Sequence, residues 1–534
     1  MDATSGHHEP MNARTLGSSQ DRSVTIGIGP ITIDDVVAIA RDGGPVVLGD
    51  DALTEIDRSR AIIESLATSE RAHYGVSTGF GALATRHIPP ERREQLQRSL
   101  VRSHAAGSGP MVEREVVRAL MTLRLSTLAT GRCGVRREAA QLYADLLNAG
   151  ITPVVHEYGS LGCSGDLAPL AHCALVAMGE GEVVDAQGVR RPAGEALAAA
   201  GLAPLTLGEK EGLALINGTD GMLGMLSLAL ADLDVLLRTA DLAAAMSVEG
   251  QLGTDAVFAA DLQDLRPHPG QRDSAANIRA VLAGSPIVAS HRDPASCTRV
   301  QDAYSLRCSP QVHGAVRDTM AHARQVAGRE LASAIDNPVV TLDGRVQSSG
   351  NFHGAPVAYV LDFLAIAVAD LASISERRTD RFLDVARNHG LPPFLADDPG
   401  VDSGLMIAQY TQAAIVSELK RLAAPASVDS IPSSAMQEDH VSMGWNAARK
   451  LRRAIDGVRR VVAIELLTAA RALELRQPLA PSPASAAVIE ALRAAGVDGP
   501  GPDRFLSPEI EAAVAAVHSG DVLAAAETCT GPLR

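Results

Sequence analysis

A turn-rich segment in the first third of the chain carries the residues most open to unusual chemistry. Residues 159–170 read GSLGCSGDLAPL, a composition that by itself predicts a turn between helices. Ser164, however, precedes Gly165, whose backbone can approach another backbone group closely. In a tight turn the Gly165 nitrogen can attack the Cys163 carbonyl. Loss of two waters, one of them from the Ser164 hydroxyl, would leave a five-membered ring with an exocyclic methylidene carbon. That carbon is an electrophile that no ordinary side chain supplies.

The commoner catalytic signatures are missing from the sequence. It has neither a G-x-x-x-x-G-K-[ST] phosphate loop nor an H-E-x-x-H metal motif. The nucleophile-elbow pattern G-x-S-x-G fails because Asp166 stands where the second glycine belongs. The six cysteines form no C-x-x-C pair and the histidines lack ligand spacing, so we expect no metal site.

Four further motifs accompany the Cys163-Ser164-Gly165 triad. They are YGVSTGFG at 74–81, GLALINGTDG at 212–221, QDAYSLRCSPQ at 301–311, and the pair DNP at 336–338 and NFH at 351–353. In this order they resemble the aromatic amino acid ammonia-lyase and aminomutase family, whose prosthetic group is a methylidene-imidazolone. The resemblance runs from about residue 25 to the C-terminal region. Cys163 departs mildly from the family, which usually has alanine there, because only its backbone carbonyl joins the ring.

The resemblance implies a role for each matching residue. The catalytic residues would be Tyr74, Cys163, Ser164, Gly165, Asn217 and Tyr304. The substrate-binding residues would be Ser103, His104, Gln301, Arg307, Asn337, Phe352, Gln437 and Glu438. Tyr74, on a mobile loop, would take the β-proton, Arg307 would bind the substrate carboxylate, and Asp166 would assist ring formation. The prosthetic group would form autocatalytically, with no metal or diffusible cofactor. A homotetramer would combine residues from three chains in each site.

Two short segments bear on the substrate. Ser103-His104 and the run Gln437-Glu438-Asp439-His440 resemble the histidine-specific members of the family. An imidazole is a suitable polar partner for a substrate imidazole, whereas a carboxylate would be costly beside a bare phenyl ring. The expected reaction therefore converts L-histidine to urocanate and ammonia.

Two alternatives remain open from the sequence. A lyase or aminomutase for tyrosine or phenylalanine would share every ring-forming residue and differ at Ser103-His104 and Glu438. A catalytically silent helical scaffold would be indicated by loss of Tyr74 or Ser164, and both are present. A smaller departure is Met436, where asparagine is commoner in the family.

The composition predicts a mainly α fold that must position these motifs. Of the 534 residues, 46% are apolar and 3% aromatic, with alanine and leucine dominant. The clearest helices are predicted at 219–250, 357–377 and 445–475. In the last, apolar residues recur every three or four positions over a helix of about 45 Å. We expect a disordered extension at 1–23, an N-terminal loop-rich domain with the prosthetic group at 24–215, and a long-helix bundle at 216–534.

The net charge, the apolar pattern and the cysteine content also limit the partners and the location that we expect. The net charge is −15 without a visible basic face, which argues against nucleic acid binding. No uninterrupted apolar run reaches the length of a membrane helix, and the N-terminus has no apolar signal region. Six cysteines without a secretion signal predict a reducing, cytoplasmic setting.

Overall fold

The computed structural model of the chain describes residues 23–69, 73–79, 86, 88–292, 297 and 299–534. The predicted disordered extension at 1–23 lies outside these residues except for residue 23, and so does the end of the predicted tyrosine loop at residues 80 and 81. The described chain is mainly helical, which confirms the predicted fold class.

Helices account for most of the described residues. They are Ile33–Ala40 (α1), Asp50–Ala67 (α2), Arg93–His104 (α3), Arg114–Ala129 (α4), Arg137–Asn148 (α5), Leu167–Ala177 (α6), Ala193–Ala199 (α7), Glu211–Ala214 (α8), Asp220–Gly250 (α9), Ala260–Asp264 (α10), Pro269–Leu282 (α11), Pro286–Ala289 (α12), Tyr304–Arg307 (α13), Ser309–Leu331 (α14), Ala355–Leu383 (α15), Met406–Leu422 (α16), Gly444–Glu474 (α17), Pro483–Ala494 (α18), Ser507–Ser519 (α19) and Asp521–Thr530 (α20). Short 3-10 turns lie at Pro90–Arg92, Ala256–Phe258, Pro393–Leu395 and Ser434–Met436.

The strands are short and form four small sheets within the described residues. They are Val24–Ile26 (β1), Val46–Leu48 (β2), Ser108–Met111 (β3), Thr152–Pro153 (β4), His156–Tyr158 (β5), Glu182–Val184 (β6), Arg190–Pro192 (β7), Val339–Val340 (β8) and Val346–Gln347 (β9). Only β1 and β2 pair in parallel. The pairs β3–β5, β4–β6, β6–β7 and β8–β9 are antiparallel.

Three long helices, α9, α15 and α17, form the centre of the molecule, close to the three predicted ranges. In α17 an apolar stripe that includes Leu451, Ile455 and Val458 is buried, while arginines occupy much of the opposite face. Helix α9 is buried on nearly every side because α4, α11, α14, α15 and α17 all pack around it. An Ala- and Leu-rich helix with so few polar positions is stable only at the centre of such a bundle.

Helix α15 is the one helix of the described chain whose length and composition would allow it to cross a membrane. Of its most apolar 18-residue window, 61% is buried inside the protein, against α9, α14, α16 and α17. Its apolar character therefore belongs to the bundle core.

The division at residues 215 and 216 stays a prediction. One continuous apolar core includes residues from Val24 to Leu533. The proposed boundary falls between α8 and α9, in a turn that itself carries Asn217.

Candidate active site

The triad lies in a tight loop immediately before α6. Gly165 has a φ of +73°, and a Cβ placed on it would lie 1.9 Å from the Gly218 carbonyl oxygen. The Asp166 backbone N–H donates to that same oxygen at 2.7 Å. Only glycine can occupy position 165, because the loop backbone is pressed against the turn that begins α9.

Asp166 directly follows the triad, and its completely buried side chain holds the loop in place. Its carboxylate accepts hydrogen bonds from the Ser160 hydroxyl at 2.8 Å and from the Met222 backbone N–H at 2.9 Å. Burial raises the pKa of Asp166 to about 7, although these hydrogen bonds oppose the rise. The group can therefore gain or lose a proton near neutral pH, directly beside the triad.

Asn217 precedes Gly218 and so lies on the other side of its contact with Gly165. Its side-chain nitrogen donates to the Asn337 carbonyl at 2.9 Å, whereas its buried Oδ1 has no hydrogen-bond partner among the described residues. Arg124 holds the surrounding backbone by donating to the carbonyls of Asn217 and Ile335 at 2.8 and 2.9 Å. Because an unpaired buried acceptor is costly, Oδ1 marks a position suited to a ligand donor.

The Tyr74 segment packs against α8 and against the residue that follows Asn337. Gly75 has a φ of +76°. A Cβ placed on it would lie 3.1 Å from the Leu213 side chain and 3.2 Å from the Pro338 ring. Val76 is buried in a small cluster with Ile63 and Val340. Half-buried Tyr74 is thus carried next to the Asn217 and Asn337 turns.

Glu438 is delivered to the triad by a short segment that precedes α17. The Met443 N–H donates to the Leu161 carbonyl at 2.9 Å, and the Ser442 hydroxyl donates to the Gly162 carbonyl at 2.9 Å. The Glu438 carboxylate lies within electrostatic reach of the Cys163 thiol. Burial, and to a smaller extent this carboxylate, raises the pKa of the thiol to about 12.

His104 ends α3 within the electrostatic reach of Glu438. Its Nδ1 lies 2.9 Å from the Leu100 carbonyl oxygen, which can only accept, so Nδ1 carries the proton and Nε2 is left as an acceptor. Burial lowers the pKa of His104, while the Leu100 carbonyl and Glu438 act in the opposite direction. The neighbouring Ser103 is exposed and its hydroxyl donates to Leu100 at 3.0 Å.

Phe352 and Gln437 lie at the edge of this group. Phe352 is half-buried two residues before Gly354, whose N–H donates to the Gly162 carbonyl at 3.5 Å. Gln437 and Met436 are exposed beside Glu438.

Three predicted residues, Gln301, Tyr304 and Arg307, lie far from the triad of their own chain. They flank Asp302, whose carboxylate accepts from the Thr254 N–H at 2.8 Å just beyond the C-terminal end of α9. The triad lies at the N-terminal end of that 31-residue helix, so about 45 Å separates the two groups. Tyr304 is 71% exposed. The guanidinium carbon of Arg307 lies over the Tyr304 ring, 4.7 Å from the ring centre.

Comparison with known proteins identifies the chain's relatives. A family model described as aromatic amino acid lyase matches residues 31–494. The chain belongs to this family. It is 67% identical to a histidine ammonia-lyase of Streptomyces coelicolor over 96% of this chain and all of the relative. It is 50% identical to a histidine ammonia-lyase of Gloeobacter violaceus over 94% and 97% of the two chains.

Solved structures show that this aromatic amino acid lyase has the family fold. Tyrosine aminomutase from Streptomyces globisporus is similar with a TM-score of 0.90 at 37% identity, covering 96% of this chain and all of that one. Histidine ammonia-lyase from Trypanosoma cruzi is similar with a TM-score of 0.87 at 37% identity, covering 95% of each chain. Since lyases and aminomutases share the fold, discrimination among substrates must come from side chains.

The lyase also has buried charges beneath the site that the motifs did not indicate. Arg124 is completely buried and lies 3.6 Å from Asp220, at the start of α9. Lys210 and Asp336 form a completely buried ion pair next to Asn337. A sequence signal existed for Arg124, which interrupts the apolar run LMTLRLSTLA of α4, because a charge at such a position requires a buried partner.

Metal ligands do not cluster in the described part of the lyase. Across these residues no group of three or more His, Cys, Asp and Glu side chains is arranged to hold a metal ion.

Proposed function

We propose that the chain eliminates ammonia from L-histidine to give urocanate. The observation that carries this proposal is the Glu438 carboxylate, which lies within electrostatic reach of both Cys163 of the triad and His104. Such a pair of polar groups suits an imidazole and would be costly beside a phenyl ring. The names of the most similar relatives support the same substrate.

Cys163, Ser164 and Gly165 would hold the methylidene-imidazolone as part of the backbone. The tight approach of Gly165 to Gly218 fits a ring that must close between neighbouring backbone atoms, and the unpaired Asn217 Oδ1 fits a donor brought by the substrate. The group supplies an electrophilic carbon for the substrate nitrogen, which makes the amine a better leaving group. Asp166, with a pKa of about 7, is suited to exchange protons while the ring forms.

The imidazole would be held between one neutral hydrogen-bonding group and one charge. His104 Nε2 accepts from one imidazole N–H, because Nδ1 is committed to Leu100. When the substrate ring is protonated, Glu438 accepts from its second N–H and faces the charge of the imidazolium. Within the described residues, Glu438 forms no ion pair with lysine or arginine, so its charge remains available to the substrate.

The reaction breaks the C–H bond at Cβ and the C–N bond at Cα. Tyr74, acting as the base, takes the β-proton, and the electron pair of that bond becomes the carbon–carbon double bond of urocanate. The nitrogen departs as ammonia. Asn217 Oδ1 orients the amine by accepting one of its hydrogens.

A second copy of the chain would supply the carboxylate-binding group. Arg307, Tyr304 and Gln301 are about 45 Å from the triad of their own chain, so they can act only at the site of another copy. We therefore propose a homotetramer with shared sites. A cytoplasmic location accompanies this proposal, since all six cysteines are free thiols.

The activity is tested by incubating the purified full chain with L-histidine, L-tyrosine or L-phenylalanine and following the conjugated product by near-UV absorbance. We expect turnover of L-histidine and at least tenfold lower kcat/KM for the other two. Ser164→Ala should abolish turnover and the two-water mass deficit of the triad peptide. Ser227→Ala is the matched control, because among the described residues its hydroxyl binds only the Leu223 carbonyl of its own helix. Activity on tyrosine without activity on histidine would contradict the proposal.

Sharing of sites is tested by mixing two inactive variants. Ser164→Ala and Arg307→Leu, co-expressed, should regain activity because some sites combine an intact triad with an intact Arg307. Random assembly gives up to about a quarter of wild-type sites. Mixtures that stay as inactive as each variant alone would contradict shared sites.

A further inference from the structure

The turn at residues 217–219 is anchored at each residue from a different part of the fold. Its first two carbonyls accept from Arg124 of α4 at 2.8 Å and from the Asp166 N–H just before α6 at 2.7 Å. The Thr219 hydroxyl donates to Oε1 of Glu330, on the last turn of α14, at 2.6 Å. This third anchor joins two side chains, so a substitution can remove it without changing the backbone of the triad loop.

Thr219 does not use its side chain as its position in the sequence predicts. It directly precedes α9, where a threonine hydroxyl ordinarily accepts from a backbone N–H of the first helical turn. The Thr219 side chain is buried and makes no such cap hydrogen bond. Its hydroxyl proton is given to Glu330 instead. The hydroxyl therefore fastens the turn to α14, and α9 begins without a side-chain cap.

Glu330 is half-buried and lines a cavity together with Asn351 and His353. Thr219 is its one side-chain hydrogen-bond donor among the described residues. Burial raises the pKa of the Glu330 carboxyl above its usual value, the Thr219 hydroxyl lowers it, and Asp220 raises it further. The hydrogen bond therefore favours the ionised carboxylate, and a hydrogen bond to a charged group is among the stronger ones.

We propose that Glu330 and Thr219 are positioning residues, whose hydrogen bond holds the turn at 217–219 so that Asn217 Oδ1 faces the amine of the substrate. This inference rests on the proposed function, in which Oδ1 accepts a hydrogen of that amine. The Asn217 amide is already fixed on its other side, because its nitrogen donates to the Asn337 carbonyl at 2.9 Å. A turn that is free to move at residue 219 would carry Oδ1 out of line with the amine.

The test compares Thr219→Val, which keeps the shape and removes the hydroxyl, with Thr219→Ser, which keeps the hydroxyl. Turnover is expressed per ring-bearing site, counted from the two-water mass deficit, so that incomplete ring formation does not contribute. For Thr219→Val we expect kcat on L-histidine to fall about tenfold, as for loss of a hydrogen bond to a charged group. The KM should change less than threefold, because the groups proposed to bind the carboxylate and the imidazole lie elsewhere. Thr219→Ser should stay within about twofold of wild type.

Glu330→Leu removes the other partner and keeps the inference testable if Thr219→Val does not fold. It should lower kcat per ring-bearing site by a similar factor. Combining the two substitutions should lower kcat less than about twofold beyond either one, since both remove the same contact. Fully additive losses would overturn the inference.

Thr239→Val is the matched control on the same helix. Thr239 is completely buried in α9, and among the described residues its hydroxyl donates only to the Val235 carbonyl of that helix. This variant removes a buried threonine hydroxyl twenty residues from the turn and should leave kcat per ring-bearing site within about twofold of wild type. An equal loss in Thr239→Val and Thr219→Val would assign the effect to the helix and overturn the inference.

A ligand without the amine separates positioning of the amine from general damage to the site. Imidazolepropionate has the carboxylate and the imidazole of L-histidine but no amine. Its inhibition constant should be the same within about twofold in wild type, Thr219→Val and Glu330→Leu. Weaker inhibition of the variants, or an unchanged kcat in both, would overturn the inference while an active wild type leaves the proposed function standing. A wild-type chain that shows no activity on L-histidine would overturn the proposed function itself.

Discussion

Replacing Gly165 by alanine examines the contact on which the triad loop depends. Alanine at this position must adopt a φ of +73° and must place its Cβ 1.9 Å from the Gly218 carbonyl oxygen. Gly188, in the exposed turn between β6 and β7, has nearly the same φ of +79° but nothing within 4 Å of an added Cβ. The pair of variants therefore separates backbone strain from steric overlap.

The structure gives the size of each effect. Positive φ costs an alanine about 1–2 kcal/mol at either position. At Gly165 the two backbones must also separate by about 1 Å to bring the Cβ to 3.0 Å, which stretches the 2.7 Å bond from Asp166 to Gly218 to about 3.8 Å and breaks it. A buried N–H and carbonyl left unpaired add about 1–3 kcal/mol. Gly165→Ala should thus be destabilised by about 2–5 kcal/mol and Gly188→Ala by the first contribution alone.

The assay combines the thermal unfolding midpoint with the mass of the triad peptide. Gly165→Ala should unfold at a lower temperature than Gly188→Ala and should lack both the two-water deficit and turnover, because displaced backbone atoms cannot close the ring. Gly188→Ala should retain both. A Gly165→Ala protein that carries the deficit and matches Gly188→Ala in stability would refute the reasoning.

Three further outcomes follow from the buried charges and from the proposed contact of Glu438 with the substrate. The pKa of Asp166 is about 7 when folded and 3.8 ordinarily, so its contribution to stability is complete below about pH 4 and is lost as pH rises towards 7. The loss is on the order of 4 kcal/mol. Asp166→Asn should lack this dependence, and a difference from wild type in unfolding free energy that is constant with pH would contradict it. Glu438→Gln should raise the KM for L-histidine about tenfold or more by steady-state kinetics, and an unchanged KM would exclude substrate contact. Lys210→Met should destabilise the chain by about 3–5 kcal/mol, because Asp336 is left buried without its partner. Adding Asp336→Asn should recover part of the unfolding free energy, and no recovery would refute the pairing argument.

The long helices could be predicted because their cause is local. Apolar residues at steps of three and four define α17 as Gly444–Glu474, against a predicted range of 445–475. Helix α9 begins at Asp220 and ends at Gly250, against 219–250. Helix α15 extends six residues beyond the predicted end at 377, to Leu383, because Arg378 lies inward and is fully buried against Glu465. In the sequence alone, a charged residue such as Arg378 predicts an exposed position and therefore the end of a buried helix. Its ion pair with the distant Glu465 is what allows the helix to continue.

The candidate site depends on contacts that no local pattern contains. The approach of Glu438 to Cys163 brings together residues 275 positions apart, and the turn of Asn217 meets the triad only because Gly165 is small enough to allow it. Motif matching could name these residues, but their mutual distances follow from the packing of α6, α9 and α17. The same limitation hid Arg124 and Lys210, whose effect on the site passes through backbone carbonyls and through Asp336.

Helix α9 explains why the motifs of one chain do not make one complete site. It joins the two groups of predicted residues in sequence and, being a rigid rod of about 45 Å, keeps them apart in space. The triad, Asn217, His104 and Glu438 gather at its N-terminal end, so the groups proposed to form the ring and to face the imidazole all come from a single folded chain. Arg307 lies at its other end. Under the proposed function, ring formation would therefore require only folding, whereas binding of the substrate carboxylate would require a second copy of the chain, and a variant that folds without assembling would separate the two.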